Sequence, residues 1–241
     1  MVRANCRVQF TKADIEFLLS AASKETRARV GARSDLNSFS IDQLVDDEHV
    51  FRQMYSHREF FRVSPHFFFY LGTRWCMRAY GLDDRDLADY VASILCAFLR
   101  TEDLYRSSIS GEQFVYLVDM VEALNETSRY EDIFDHHAHI GNYTLFLVGI
   151  FPDYLEYLST YKRRLITRHY YEMMGQTHYK MASSHEVARK EQLDEILSAL
   201  SSQFIPVRRA LNRLSIQYLI FNRSEAQRTY LTMLNENEWD V

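Results

Sequence analysis

Apolar residues recur along this chain at intervals of three and four, the spacing of one face of an α-helix. Residues 84–98 illustrate the pattern, since their apolar positions would form a single stripe: Leu87, Ala88, Val91, Leu95 and Phe98. No segment shows the strict alternation of apolar and polar residues that marks a half-buried β-strand. The pattern therefore predicts an all-α protein with bundle-like packing.

Residues that favour helix ends support this prediction. Thr11 stands three positions before Asp14, as in a capping box. Ser64 precedes Pro65, which suits the first position of a helix, and Gly81 suits the left-handed residue that follows one. Read in this way, the chain contains about nine helices.

We expect these helices to form one domain over residues 1–241. Glycine and proline are scarce, with 7 and 3 residues, and no linker rich in them divides the chain. Residues 24–39 carry many charged side chains and are expected to form a mobile loop. The polar residues 235–241 are expected to form a frayed tail.

A histidine-rich segment lies within a predicted helix over residues 129–150. Residues three and four apart share a helix face, so His137 lines up with the apolar Phe134 and is expected to face the core. His136 and His139 line up with aspartates and are expected to face water. An inward histidine is commonly a hydrogen-bonded core residue, but it is also able to bind a ligand.

A second predicted helix, 167–185, also carries inward histidines. His178 and His185 share a largely apolar stripe with Tyr171 and Gly175. A glycine in the middle of a helix costs about 0.5–1 kcal/mol relative to alanine, so it suggests close approach of another helix or of a ligand. The candidate cofactor-binding residues are His137, His178, His185, Tyr171 and Gly175.

One carboxylate also shares an apolar face. A capping-box pattern at Ser40 predicts a continuous helix to Tyr55, and Glu48 falls on the stripe that contains Phe51. A buried carboxylate needs a partner or a shifted pKa. Two interpretations stay open: a metal site formed by His137, His178, His185 and Glu48, or an ion pair of Glu48 with Arg74 or Arg78. We favour the ion pair, because arginine is the usual partner of a desolvated carboxylate.

Charge and cysteine content narrow the classes of function. The net charge of -5 gives no overall positive field for nucleic acid, so we expect no nucleic-acid partner. Three cysteines without a C-x-x-C spacing are typical of a reducing compartment and of small core residues. No signal peptide and no apolar run long enough for a bilayer are found. We therefore expect a cytoplasmic protein without a membrane partner.

Residues 141–182 carry one resemblance. The stretches GNYTLFLVGIFPDYLEY and YYEMMGQTHYKMA resemble a family of bacterial all-helical proteins without assigned activity. In that family a glycine, an acid and a tyrosine lead into Phe-Pro, then into a Tyr-Tyr pair with a glycine downstream. Asn142 stands where the acid is often found. The resemblance implies a bacterial origin and an all-helical fold.

Two hypotheses for function follow. The first is a helical binding or regulatory module and a homo-oligomer. Its 16 Phe and 16 Tyr would form an aromatic-rich pocket or interface for a partner or a small apolar ligand. The alternative is a metal- or cofactor-dependent helical-bundle enzyme, of the heme-oxygenase-like or ferritin-like class, with inward histidines as ligands. The chain contains no Glu-x-x-His, which weighs against a ferritin-like di-iron site.

Overall fold

The computed structural model describes residues 2–31, 38–56, 63–98, 117–127, 129–152 and 167–219. Within these ranges the chain forms twelve α-helices and no β-strand. The all-α prediction is therefore confirmed, although the helices outnumber the nine expected. The predicted tail 235–241 lies outside the described residues.

The helices separate into two compact units, Ala4–Cys96 and Ala97–Val241, and the second includes Met1–Arg3. We call them the N-terminal unit and the C-terminal unit and describe each by itself. The single domain expected from the sequence stays a prediction.

The N-terminal unit contains six helices. They are α1 (Lys12–Ala21), α2 (Lys24–Gly31), α3 (Ser38–Val45), α4 (Glu48–Ser56), α5 (Pro65–Arg78) and α6 (Arg85–Ala97), whose last residue falls in the other unit. The predicted start of α5 is confirmed, because the Ser64 hydroxyl accepts a hydrogen bond from the Phe67 N–H at 3.1 Å. Beyond the end of α5, Gly81 adopts the left-handed conformation, with φ of 77°.

A buried aspartate joins two of these helix ends. Asp14 and Thr11 form the predicted capping box at the start of α1. The Asp14 carboxylate also accepts hydrogen bonds from the N–H and the hydroxyl of Ser64, each at 2.7 Å. One side chain thus fixes the first turns of α1 and α5.

Helix α2 occupies residues 24–31, where we expected a mobile loop. That expectation is wrong for this stretch because Ser23 caps the helix, its hydroxyl accepting from the Thr26 N–H at 3.2 Å. Ser23 is held in place by the Asp47 carboxylate, to which its hydroxyl donates at 2.7 Å. Residues 32–37 lie outside the described residues.

The described part of the C-terminal unit contains six further helices. They are α7 (Leu117–Glu126), α8 (Tyr130–Ile150), α9 (Arg168–Ser183), α10 (Glu186–Lys190), α11 (Asp194–Ser202) and α12 (Phe204–Leu214), followed by a π-helical turn (Ser215–Leu219). Helix α8 is central, since α7, α9, α10 and α12 all pack against it. All residues from Ile140 to Ile150 are consequently buried.

Candidate histidine site

Two of the candidate histidines meet between α8 and α9. Nδ1 of His137 and Nδ1 of His178 lie 2.8 Å apart, and the ring centroids are separated by 4.9 Å. This is the distance of an N–H···N hydrogen bond, in which one imidazole donates and the other accepts. The sequence pattern, which placed both histidines on inward faces, thus pointed to two rings that are in contact.

Both rings of this pair are held in the neutral form. Burial lowers the pKa of His178 to about 4, and repulsion from His137 adds to the effect. Burial also lowers the pKa of His137, with further contributions from His185 and His136. At neutral pH the pair therefore carries no charge and shares a single bridging proton.

His185 lies near the pair but has a different role from the one that its helix pattern suggested. Helix α9 ends at Ser183, and His185 caps α10, its Nδ1 accepting from the Val187 N–H at 3.3 Å. Its ring stacks on Tyr130, with centroids 3.9 Å apart. Its Nε2 is buried and has no hydrogen-bond partner among the described residues.

The expectation that His136 and His139 face water is wrong for His136. Its exposed fraction is only 7%, and burial lowers its pKa against the opposing effect of Asp132 and Asp135. His139 is half-buried, with its ring edge-on to Phe98 at 5.9 Å. The reason is the central position of α8: neighbours cover more than one of its faces, so the polar stripe is covered as well.

Gly175 marks the close approach of a helix. A Cβ atom at this position would collide with the ring of Phe204 on α12 and would lie 2.6 Å from the Thr144 hydroxyl of α8. Tyr171 is buried one turn earlier, edge-on to Tyr170. Of the two reasons considered for this glycine, close helix packing is the one that the geometry accounts for. Cofactor roles for Tyr171 and Gly175 stay predictions.

Glu48 is not buried. It is the first residue of α4, it is exposed, and it pairs with Arg52 at 2.5 Å. The predicted continuous helix breaks after Val45, and Asp47 caps the new helix through the His49 N–H at 2.8 Å. This break resets the rotational phase, so Glu48 turns outward. The predicted burial of Glu48 and its pairing with Arg74 or Arg78 are wrong, and its inclusion in a metal site with the histidines stays a prediction.

The buried ion pair exists, but with a different carboxylate. Arg74, only 2% exposed, binds Asp46 through Nε at 2.9 Å and Nη2 at 3.2 Å, and it also contacts Asp83. Arg85 reaches the same Asp46 carboxylate at 2.7 Å. Although burial opposes the change, these cations lower the pKa of Asp46. The sequence predicted the arginine correctly and the acid wrongly.

Sequence reasoning missed one further buried pair. The Tyr179 hydroxyl donates to Oδ1 of Asn142 at 2.9 Å, between α9 and α8. The tyrosine ring also covers Gly141, where a Cβ atom would lie 2.7 Å from it. The available signal was the adjacent Gly141-Asn142 within a helix otherwise rich in apolar residues.

Two further findings concern metal binding and membrane spans among the described residues. They contain no group of three or more His, Cys, Asp or Glu side chains arranged to hold a metal ion. None of their helices combines the length and the apolar character needed to cross a bilayer.

The comparisons with known proteins give no relative. No protein-family model matches the sequence, no curated protein matches it, and no solved structure matches the fold. The resemblance of residues 141–182 to a bacterial helical family stays a prediction.

Proposed function

We propose that the protein is a helical binding or regulatory module in which the pair His137–His178 responds to a change of pH. The observation that supports this is the single 2.8 Å hydrogen bond between two neutral imidazoles inside the α8–α9 contact. Such a pair accommodates one bridging proton. Protonation of both rings would bring two positive charges together in a buried contact, which favours separation of the rings.

The groups around the pair act in the same direction. His136 and His185 are the titratable side chains that lower the pKa of His137 beyond the effect of burial. Protonation of either neighbour therefore makes protonation of the pair less favourable in the closed arrangement. Asp132 and Asp135 counteract this effect only at His136. Acid thus shifts the equilibrium toward an arrangement in which these rings are hydrated.

Long-range ¹H–¹⁵N NMR of the histidine rings between pH 8 and pH 4 tests this proposal. His178 is expected to stay neutral at pH 6, and protonation of the pair is expected to coincide with loss of amide protection in α8 and α9. The His178→Gln variant should lose this coupled response. His169→Gln, which alters an exposed histidine of the same helix, should keep it. Protonation of His178 above pH 6 with unchanged amide protection would contradict the proposal.

The alternative function is a metal- or cofactor-dependent helical enzyme. It is favoured by one specific observation, the convergence of two neutral imidazole nitrogens, since the neutral ring is the form that binds metals. The pair could supply two protein ligands to a transition metal. Elemental analysis of protein purified without a metal-binding tag tests this: stoichiometric metal that is lost in His178→Ala supports the alternative, and its absence from the native protein opposes it.

The remaining expectations are part of the same proposal. Homo-oligomer formation is compatible with the exposed apolar side chains of Tyr130, Met173 and Met181. Sedimentation equilibrium at micromolar concentration tests this hypothesis, and the mass of a monomer alone would contradict it. A small apolar ligand, the absence of a nucleic-acid partner, a cytoplasmic location and a bacterial origin stay predictions.

A further inference from the structure

Two cysteines that are far apart in sequence lie side by side in the N-terminal unit. Sγ of Cys6 and Sγ of Cys96 are 3.7 Å apart, across a sequence separation of 90 residues. They stand close to the two ends of the unit, which spans Ala4–Cys96. The sequence alone, with no short Cys spacing, gave no sign of this proximity.

The segment around Cys6 is fixed against α6 on both sides of the cysteine. The Asn5 N–H donates to the Ser93 hydroxyl at 3.3 Å, and the Arg7 N–H donates to the Asp89 carboxylate at 3.2 Å. Asp89, Ser93 and Cys96 follow one another at helical spacing, so they share a face of α6. These hydrogen bonds hold the segment of Cys6 against α6, and formation of a disulfide requires the two sulfurs to approach from 3.7 Å to roughly 2.05 Å.

We propose that Cys6 and Cys96 are a disulfide-forming site whose oxidant is a small-molecule disulfide such as oxidised glutathione. The Cys96 thiolate attacks one sulfur of the oxidant, forms a mixed disulfide and releases one thiolate. Deprotonated Cys6 then attacks Sγ of Cys96 and releases the second thiolate. Two protein thiols are oxidised, one small disulfide is reduced to two thiols, and the two thiol protons pass to the released thiolates.

The surroundings of the two thiols determine which thiol reacts first and how fast it reacts. Cys6 is fully buried whereas Cys96 is half-buried, so Cys96 meets the oxidant first. The hydrogen bond with Cys6 and burial raise the pKa of the Cys96 thiol. The thiolate is consequently scarce at neutral pH, and the oxidation rate is expected to rise about tenfold per pH unit between pH 7 and pH 9.

The bond would close a covalent loop around nearly the whole N-terminal unit. A cross-link over a loop of this length restricts the unfolded chain far more than the folded one. We therefore expect the oxidised N-terminal unit to melt on the order of 10 °C above the reduced one.

The test uses the full chain, reduced and then equilibrated with oxidised glutathione. Thiols titrated after denaturation should fall from three to one, the intact mass should decrease by two hydrogens, and peptide mapping should link residue 6 to residue 96. The Cys76→Ala variant is the matched control, because it removes the third cysteine and should form the same cross-link. Cys6→Ser and Cys96→Ser should each prevent it.

Two outcomes would overturn the proposal. One is a glutathione adduct that persists on Cys96 of the native chain without an internal bond. The other is a linked peptide that contains Cys76. Both are read from the native sequence, so neither depends on the folding of the serine variants.

Discussion

The two units differ in the polar side chains that they bury. In the N-terminal unit several of the buried groups are charged: Arg74 binds Asp46, and Arg7 binds Asp89. In the C-terminal unit more of them are neutral: His137 pairs with His178, and Tyr179 donates to Asn142, beside one ion pair of Arg208 with Glu172 at 2.8 Å. Each arrangement satisfies buried hydrogen-bonding groups, but the two respond differently to a change of pH.

Charged pairs of this kind resist mild acid, whereas neutral histidines do not. The pKa of Asp46 is lowered, and hydrogen bonds that outweigh burial hold the pKa of Asp47 at about 2. Asp89 is an exception, since burial raises its pKa. The histidines of the α8–α9 contact favour the neutral form, so acid works against the folded arrangement well before it reaches most of these carboxylates.

Removal of the central arginine should have the largest effect on the N-terminal unit. Arg74→Met leaves Asp46 without its two-pronged partner, and we expect the free energy of unfolding to fall by about 3 to 5 kcal/mol. Urea unfolding followed by the emission of Trp75 measures this. The chain has two tryptophans, so a Trp239→Phe background isolates the signal.

Arg52→Met is the matched control for this change. Arg52 pairs with Glu48 on the surface, where an ion pair contributes about 0.5 kcal/mol or less. If the two variants lose the same free energy of unfolding, the buried ion pair of Arg74 contributes no more to the stability of the N-terminal unit than a surface pair does.

Acidification should separate the unfolding transitions of the two units. At pH 8 His178 is neutral in both the folded and the unfolded chain. Below the ordinary pKa of 6.5 the unfolded chain takes up protons while His178 does not until about pH 4. Stability is therefore lost as pH falls through this window, on the order of 3 kcal/mol for His178 alone, and the loss is complete below it.

Two probes of the same urea titration would detect this separation. We expect the transition seen by far-ultraviolet circular dichroism to move to lower urea between pH 6.5 and pH 4, ahead of the Trp75 emission. His178→Gln should reduce the shift. A circular dichroism transition that stays with Trp75 at every pH would show that the neutral histidines do not set the acid response.

The sequence could predict those features that depend on interactions between residues close together in the chain. Helix ends marked by a local cap, such as Thr11 and Ser64, were correctly predicted because the interaction spans only three residues. The inward faces of His137 and His178 followed from periodicity. The break at Asp47 was missed because the cap that starts α4 lies inside an unbroken apolar stripe. That single break moved Glu48 to the surface.

Helical periodicity also fails to predict which side chains are exposed when other helices pack around a helix on several sides. A polar stripe predicts solvent only if one face of the helix is free, and α8 is packed on several sides, so His136 is buried. The contact between Cys6 and Cys96 depends on how distant segments assemble. Neither feature can be derived from the local spacing of residues.

The neutral contact of the C-terminal unit also depends on close packing. Gly175→Ala places a methyl group against Phe204 and Thr144, and we expect a loss of about 1 to 3 kcal/mol, although alanine is the better helix former. Urea unfolding by circular dichroism measures it. Gly81→Ala is a useful comparison, because no atom crowds that position and its φ of 77° alone should account for a loss of about 1 kcal/mol. A gain in stability for Gly175→Ala would show that α9 and α12 can move apart.

The smallest expected difference concerns the caps. Ser64 caps α5 and also donates to the buried Asp14 carboxylate, whereas Thr167 is exposed and caps α9 with one bond of 3.3 Å. We expect Ser64→Ala to lower the free energy of unfolding by about 2 kcal/mol, because it also weakens a charged hydrogen bond, and Thr167→Ala by about 0.5 kcal/mol. Trp75 emission and circular dichroism in urea report the two losses. If the losses are equal, the hydrogen bond from Ser64 to Asp14 adds no stability beyond that of the cap. The difference between the charged and the neutral buried groups would then not extend to the ends of the helices.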